Sequence, residues 1–376
     1  MRKDVAIIGG SAAGFFTAYL LAQQDQKVRV FEVSERIGPS PRTLIVTNHM
    51  RHVLGKLYHG TVINKIRRFE LFADGRVAMI PLRQPDLVIE RSKLIQRLAS
   101  HAEACGAKIL TGYRFLHLRP NGKRLTFTLS SNGNGKSVEG SADILVGADG
   151  TFSKVSQSGG WPKQSTVPLY QAVVELPKDM PPDTTRVWFI PEDTPYFYWL
   201  IPHSSTHGVL GLIGNEVSGA QRSLESFLER KKLVPTEFQS AQIPKYTQWV
   251  PNHRRLGESH IYLVGDAAGH VKVTTVGGTV TGFRGAMGVA EAILNGGYSR
   301  KFKTLRRELN LHHLLRRVLN RFSQGDYVRL LDLLSTSTQQ TLGLFSRDEA
   351  TKLLLHLFRK QPRLLLLGLR VLLIGK

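Results

Sequence analysis

A glycine-rich turn and one carboxylate near the N-terminus have the residue types and the spacing that bind a dinucleotide. Gly9 and Gly14 bracket a run of small residues, and Glu32 ends the second apolar run. The residues nearest Gly14 in this run are Ser11, Ala12 and Ala13. Gly9 would permit a tight turn, the small residues would let the backbone approach a pyrophosphate, and Gly14 would let the next helix pack on the strand. Glu32 is placed to accept hydrogen bonds from ribose hydroxyls, although a tight turn in an unrelated α/β domain would use the same residues.

A second candidate segment lies much later in the chain. Asp266 ends a buried apolar run, and Gly277, Gly278 and Thr279 stand shortly before a helical pattern at 283–294. Asp266 would hold a ligand hydroxyl, fix its loop or cap the turn that follows. The N–H groups at the start of the helix would present positive partial charge to an anion.

Three side chains in or beside the candidate motifs could supply a proton. They are His203, His270 and Lys272. Histidine and lysine can both act as general acids, but each of the three also fits an ordinary loop or surface position. We expect no metal site, because the single cysteine, Cys105, excludes a cysteine-based zinc site, an internal disulfide and a CxxC redox motif. One unpaired cysteine also fits a reducing compartment.

The pattern of apolar residues predicts an α/β fold. A strand, the glycine-rich turn, a helix and a second strand follow one another over 5–32, which is a Rossmann-like arrangement. A hairpin at 67–82 and short aromatic-rich runs over 165–250 predict an inserted antiparallel sheet. The predicted domains are a discontinuous dinucleotide-binding domain (1–66, 83–160 and 255–298), an antiparallel-sheet substrate domain (67–82 and 161–254) and a basic amphipathic helical tail (299–376).

The charge is strongly positive and is concentrated in the tail. The chain has 51 Lys and Arg against 29 Asp and Glu, a net charge of +22. Leucines recur at helical spacing in the tail, and the last apolar run, 364–374, is shorter than the ~20 residues that cross a bilayer. We therefore expect the tail to lie on an anionic membrane surface, with the protein cytoplasmic and no signal peptide. Nucleic acid is the competing partner, but no helix-turn-helix, RNP-like or zinc signature accompanies the charge.

Three segments together resemble FAD enzymes of the aromatic-hydroxylase type. They are GGSAAG with Glu32, GADGTFSKV at 147–155 and LVGDAAGHVKVTTVGGTVTGFRGA at 263–286. Within that group, GDAAGHVK followed by TT and GG resembles the geranylgeranyl reductase family. The resemblance implies FAD as the cofactor, an isoprenoid lipid as the substrate, and saturation of its double bonds by hydride from reduced flavin.

The resemblance also implies roles for individual residues. Arg91 stands where the family has an arginine that contacts the flavin cofactor, and we assign Arg42 and Phe115 to the same site. The strand FYWLIP is similar to the family's aromatic-x-Trp-x-x-Pro strand, which lines the isoprenoid cavity. Its substrate-binding residues would be Phe197, Trp199 and Pro202.

Two other functions remain open from the sequence. The same strand resembles the Trp-x-Trp-x-Ile-Pro strand of flavin-dependent halogenases, so a monooxygenase or halogenase is the alternative enzyme. A basic membrane-binding or nucleic-acid-binding protein that retains FAD structurally is the alternative without catalysis. The sequence leaves the electron donor open between NAD(P)H and a reduced protein carrier, because no second dinucleotide fingerprint is visible.

Overall fold

Strands and helices alternate over the first three quarters of the chain, and the remainder is helical. The computed structural model describes residues 2–38, 42–133 and 135–374. The predicted domain ranges also include Met1, 39–41, Asn134 and 375–376, which lie outside the described residues. The strands are β1 (Asp4–Ile8), β2 (Lys27–Glu32), β3 (Thr43–Val46), β4 (Val62–Ala73), β5 (Arg76–Glu90), β6 (Lys108–Thr111), β7 (Tyr113–Asn121), β8 (Arg124–Ser131), β9 (Ser137–Ala142), β10 (Ile144–Gly147), β11 (Thr166–Glu175), β12 (Thr184–Trp188), β13 (Tyr198–Pro202), β14 (His207–Ile213), β15 (Pro235–Pro244), β16 (His253–Leu256) and β17 (Ser259–Leu263). The α-helices are α1 (Ala12–Ala22), α2 (His49–Leu54), α3 (Arg91–Ala104), α4 (Lys154–Ser158), α5 (Val217–Lys231), α6 (Thr279–Leu294), α7 (Arg300–Leu319), α8 (Gln324–Asp332), α9 (Thr336–Leu344), α10 (Ala350–Lys360) and α11 (Pro362–Ile374).

The first sheet has the strand order β16-β17-β10-β1-β2-β6 and is parallel except for β16. Alternate residues of β1 face opposite layers: Val5 and Ile7 pack with α1, α3 and α6, and Ala6 and Ile8 pack with the small sheet β7-β8-β9. Burial on both faces explains why this strand is a continuous apolar run. Because the strands are parallel, their carboxyl ends meet at one edge of the sheet, where ligands bind in folds of this kind.

The second sheet has the order β15-β11-β14-β13-β12-β4-β5-β3 and is antiparallel except where β12 pairs with β4. Asp74 and Gly75 both have positive φ and form the predicted hairpin turn between β4 and β5. These two strands are longer than the predicted hairpin, since β5 continues to Glu90 at the start of α3. The long strand therefore joins the inserted sheet to the first domain.

The tail packs on the second sheet. A Cβ on Gly343 in α9 would lie 1.7 Å from the Pro81 carbonyl oxygen, so glycine is required for this close approach of helix and strand. Leu367 and Val371 of α11 are buried in a cluster that also contains residues of α8 and β5. Among the described residues, we find no helix that combines the length and the apolar character needed to span a bilayer. The predicted fold class, α/β with an inserted antiparallel sheet and a helical tail, is confirmed.

Candidate cofactor and substrate cavity

A cavity of about 1200 Å³ lies between the carboxyl edge of the first sheet and the inner face of the second. Its polar end is formed by residues that follow the ends of four parallel strands: Gly9 after β1, Glu32 at the end of β2, Asp149 after β10 and Asp266 after β17. Its other end is lined by aromatic and aliphatic side chains from the second sheet and the tail. The two segments that the sequence paired are thus brought together in one site.

The glycine-rich turn is tightly packed against β10. Gly9 has φ +106°, and a Cβ there would lie 2.4 Å from the Ala148 carbonyl oxygen. A Cβ on Gly14 would lie 2.3 Å from the carbonyl oxygen of Gly9. The Ser11 hydroxyl accepts a hydrogen bond from the Gly14 N–H at 3.1 Å, which caps α1. This turn directs the N-terminus of α1 into the cavity, where a pyrophosphate would find free N–H groups.

Glu32 connects the turn to the end of β2. Its carboxylate accepts hydrogen bonds from the N–H of Gly10 at 2.6 Å and from the N–H of Ser34 at 2.9 Å. The side chain also lines the cavity. Its predicted contact with ribose hydroxyls stays a prediction, and the observed bonds show that it also stabilises the turn.

Two guanidinium groups lie in the polar end without a carboxylate partner. Arg42 donates to the Ser240 carbonyl oxygen at 3.2 Å, and neither Arg42 nor Arg91 forms an ion pair with another described residue. Burial and the nearby Arg91 both lower the pKa of Arg42. Two neighbouring cations that repel each other in this way provide a favourable site for a diphosphate, which Arg binds through paired hydrogen bonds.

Asp266 faces the start of α6. A Cβ on Gly278 would lie 3.1 Å from its Oδ1 atom, and the carboxylate accepts no hydrogen bond from the described part of the chain. Burial raises the pKa of Asp266, and the charge of Arg91 partly opposes that effect. Gly277, Gly278, Thr279 and Phe115 line the cavity as well. The tight turn, the unpaired guanidinium groups and the unpartnered carboxylate fit FAD.

The apolar end includes the predicted aromatic strand. Phe197, Trp199 and Ile201 line the cavity, and Gly211 on β14 lies opposite Trp199, where a Cβ would be 2.7 Å from the indole ring. The prediction has to be revised at Pro202, which does not line the cavity. Side chains alternate across a strand, so a residue three positions after Trp199 lies on the opposite face.

Of the three predicted proton donors, only Lys272 lines the cavity. His270 is buried behind the loop against Trp249, next to the Asn252 amide, and burial lowers its pKa to about 3. His203 lies in the turn after β13, and burial and His207 lower its pKa. Both histidines are therefore neutral near pH 7 and lie outside the cavity, so we revise the predicted set of donors to Lys272.

The sequence reasoning missed a group of residues that lie far apart in the chain. Thr47, Asp86 and Arg347 line the cavity, and Asp348 is buried beside Thr47. Asp348, in the segment between α9 and α10, binds the Lys272 ammonium and the Thr47 hydroxyl. Burial would raise the pKa of Asp348, but Lys272 and Thr47 lower it to about 2. Next to it, Arg347 forms a 2.5 Å ion pair with Asp86 of β5. No local pattern marks these residues, since each acts through a contact with a distant segment.

The fold and the cavity together define a flavin-dependent oxidoreductase. The chain belongs to the FAD binding domain family, whose model matches residues 2–295. It is 26% identical to the geranylgeranyl diphosphate reductase of Rhodobacter capsulatus over 220 residues, which are 56% of this chain and 54% of that relative. It is 24% identical to the digeranylgeranylglycerophospholipid reductase of Methanothrix thermoacetophila, over 92% of this chain and 94% of that protein.

Solved structures show the same fold. A geranylgeranyl bacteriochlorophyll reductase-like protein from Thermoplasma acidophilum superposes with a TM-score of 0.76 at 18% identity, covering 96% of each chain. The flavin-dependent halogenase CmlS superposes with a TM-score of 0.65 at 15% identity, over 96% of this chain and 78% of its own. The findings confirm FAD as the cofactor, an FAD-dependent oxidoreductase as the class, and the resemblance to geranylgeranyl reductases.

Proposed function

We propose that this protein saturates double bonds of an isoprenoid chain, using the hydride that bound FAD supplies in its reduced form. One observation carries the proposal: the polar cofactor end opens directly into an end walled by Phe197, Trp199 and Ile201. A wall of this kind suits a hydrocarbon chain far better than a charged metabolite. The names of the reductases to which the chain is similar support the same substrate class.

Saturation of a double bond also requires a proton, and we propose Lys272 as its donor. Lys272 lines the cavity, and its ammonium is held by the buried Asp348 carboxylate. The proton would pass from the lysine to one alkene carbon while the other carbon accepts the hydride, and water would then reprotonate the amine. Arg347 also reaches the cavity, but a guanidinium does not release its proton at ordinary pH.

We further propose that the reaction takes place at an anionic membrane surface. Four leucines of α11 are exposed, namely Leu365, Leu366, Leu369 and Leu373. The basic side chains Arg359, Lys360, Arg363 and Arg370 are exposed in the same two helices, α10 and α11. Exposed leucines together with basic residues on a helix are typical of an interfacial element.

The reaction is tested with chemically reduced enzyme kept free of oxygen, which makes the test independent of NAD(P)H or a protein carrier as donor. We expect a polyprenyl lipid to reoxidise the flavin and the product to be heavier by two hydrogens per turnover. Lys272→Met should slow this step even when the enzyme is kept saturated with FAD. Reoxidation that requires oxygen, with a product that gains oxygen or halogen, would contradict the proposal and favour the monooxygenase or halogenase.

Membrane binding is tested by sedimentation with anionic vesicles. Because Leu367 and Val371 are buried, deleting α11 would disturb the core, so we choose Leu366→Ser with Leu373→Ser on its exposed face. We expect less binding than wild type, weaker binding at high salt, and an unchanged flavin spectrum. Equal binding of wild type to neutral and anionic vesicles would contradict the membrane proposal.

A further inference from the structure

The segment between α9 and α10 forms part of the cavity although it belongs to the C-terminal tail. The side chain of Asp348 is 0% exposed, and its carboxylate oxygens bind the Lys272 ammonium and the Thr47 hydroxyl. Lys272 and Asp348 are 76 positions apart in the chain. The ion pair therefore joins the tail to the loop that precedes α6.

That loop forms part of the cofactor end of the cavity. The backbone N–H of Lys272 donates to the Gly277 carbonyl oxygen at 3.2 Å, so the loop closes at Lys272. Between these two residues, Val276 has a φ of +49°, which is unfavourable for a β-branched residue. A backbone in this conformation has to be held by its surroundings. Anything that fixes Lys272 thus also fixes the loop that leads to Gly278 and Thr279.

The tail segment is itself firmly anchored. Arg347 pairs with Asp86, and the Ala350 N–H donates to the Glu308 carboxylate at 2.6 Å. The Arg284 guanidinium of α6 donates to the Asp348 carbonyl oxygen at 3.4 Å. These bonds hold Asp348 in place without any contribution from a ligand.

We propose that Asp348 is a positioning residue that acts through Lys272 on the cofactor loop, so that the C-terminal tail sets the affinity for FAD. The match to the FAD binding domain family ends at residue 295. Through the ion pair between Asp348 and Lys272, the C-terminal tail beyond that residue would also contribute to the cofactor site. The inference rests on the proposed function in one respect only, namely the role of Lys272 as the proton donor. Its effect on FAD binding is independent of the substrate.

The test compares Asp348→Asn with Glu349→Gln. Both substitutions replace one carboxylate of the same segment by an amide, but Glu349 pairs with the exposed Lys352, whereas Asp348 pairs with Lys272. We expect Asp348→Asn to raise the dissociation constant of FAD about tenfold, a typical size for coupling between sites. It should also change the visible circular dichroism of the bound flavin, which a loss of stability alone would not do. Glu349→Gln should leave both unchanged.

A double-mutant cycle tests whether the effect passes through Lys272. If it does, the double variant Lys272→Met, Asp348→Leu should bind FAD no more weakly than Lys272→Met alone. In both proteins Asp348 can no longer act through Lys272. This double variant also avoids a buried unpaired charge, so it keeps the test usable if Asp348→Asn does not fold. Additive losses, or wild-type FAD affinity and spectrum in Asp348→Asn, would overturn the inference. These measurements use FAD without lipid, so a failed lipid assay leaves their result intact.

Discussion

The two ends of the cavity are built in different ways. The cofactor end is built around backbone groups, namely the glycine turn and the N-termini of α1 and α6, together with side chains near strand ends such as Glu32 and Asp266. The substrate end is formed by side chains that come from the second sheet and from the tail, including Trp199 and Phe345. We infer that the glycine turn of the cofactor end tolerates almost no added atoms, whereas side chains of the substrate end can be shortened while the protein still binds FAD.

The largest effect is expected from adding one methyl group to the cofactor turn. In Gly14→Ala the new Cβ would lie 2.3 Å from the Gly9 carbonyl oxygen and 3.0 Å from the Ala148 side chain. We expect overpacking to cost about 1–3 kcal/mol of folding stability, and the displaced turn to weaken FAD binding more than either of the substitutions described below. Titration of the apoprotein with FAD, followed by flavin fluorescence, measures the affinity.

Gly219→Ala is the matched control, because Gly219 also lies in a helix and a Cβ there would meet nothing within 4 Å. It should bind FAD as wild type does and be stabilised by up to about 1 kcal/mol. If the two alanine variants bound FAD equally well, the cofactor end would not depend on backbone approach as described.

A smaller loss is expected from removing a side chain at the same end. Glu32→Ala should weaken FAD binding by about 1.5–3 kcal/mol, the range for hydrogen bonds to a charged group. Part of this loss would come from the bonds that Glu32 accepts from Gly10 and Ser34. The exposed Glu35 does not line the cavity, so Glu35→Ala should bind FAD normally. Equal affinities for FAD in the two variants would show that Glu32 does not contribute to FAD binding.

The smallest effect on FAD is expected at the substrate end. Trp199→Ala widens the wall, so the lipid is held less well and its reduction should slow about tenfold or more. The dissociation constant of FAD should remain within about twofold of wild type, since the indole belongs to the opposite end of the cavity. Stopped-flow reoxidation and FAD titration of the same preparation separate the two effects. A variant that bound FAD much more weakly but, once saturated with FAD, reduced lipid at the normal rate would reverse the comparison.

The difference between the two ends of the cavity also explains which site residues could be predicted from the sequence. Gly9, Glu32 and Asp266 belong to short contiguous motifs at strand ends. The residue pattern therefore predicts both the strands that carry them and their meeting in one site. Pro202 lies on the face of β13 opposite Trp199, as the alternation of side chains along a strand requires. Asp348 and Thr47 could not have been found, because their importance depends on a tertiary contact with Lys272. The tail was predicted as a membrane-surface element, and in the structure its residues 342–347 also line the cavity.

The central claim is that an isoprenoid chain lies in the aromatic end of the cavity. Photo-crosslinking of FAD-loaded enzyme with a diazirine-labelled polyprenyl lipid, followed by peptide mass spectrometry, tests it directly. We predict labels on Trp199, Phe197 and the 342–346 segment, reduced by competing unlabelled polyprenyl lipid and lowered at position 199 in Trp199→Ala. Labels confined to the exposed leucines of α11, with the cavity residues unmodified, would contradict the account.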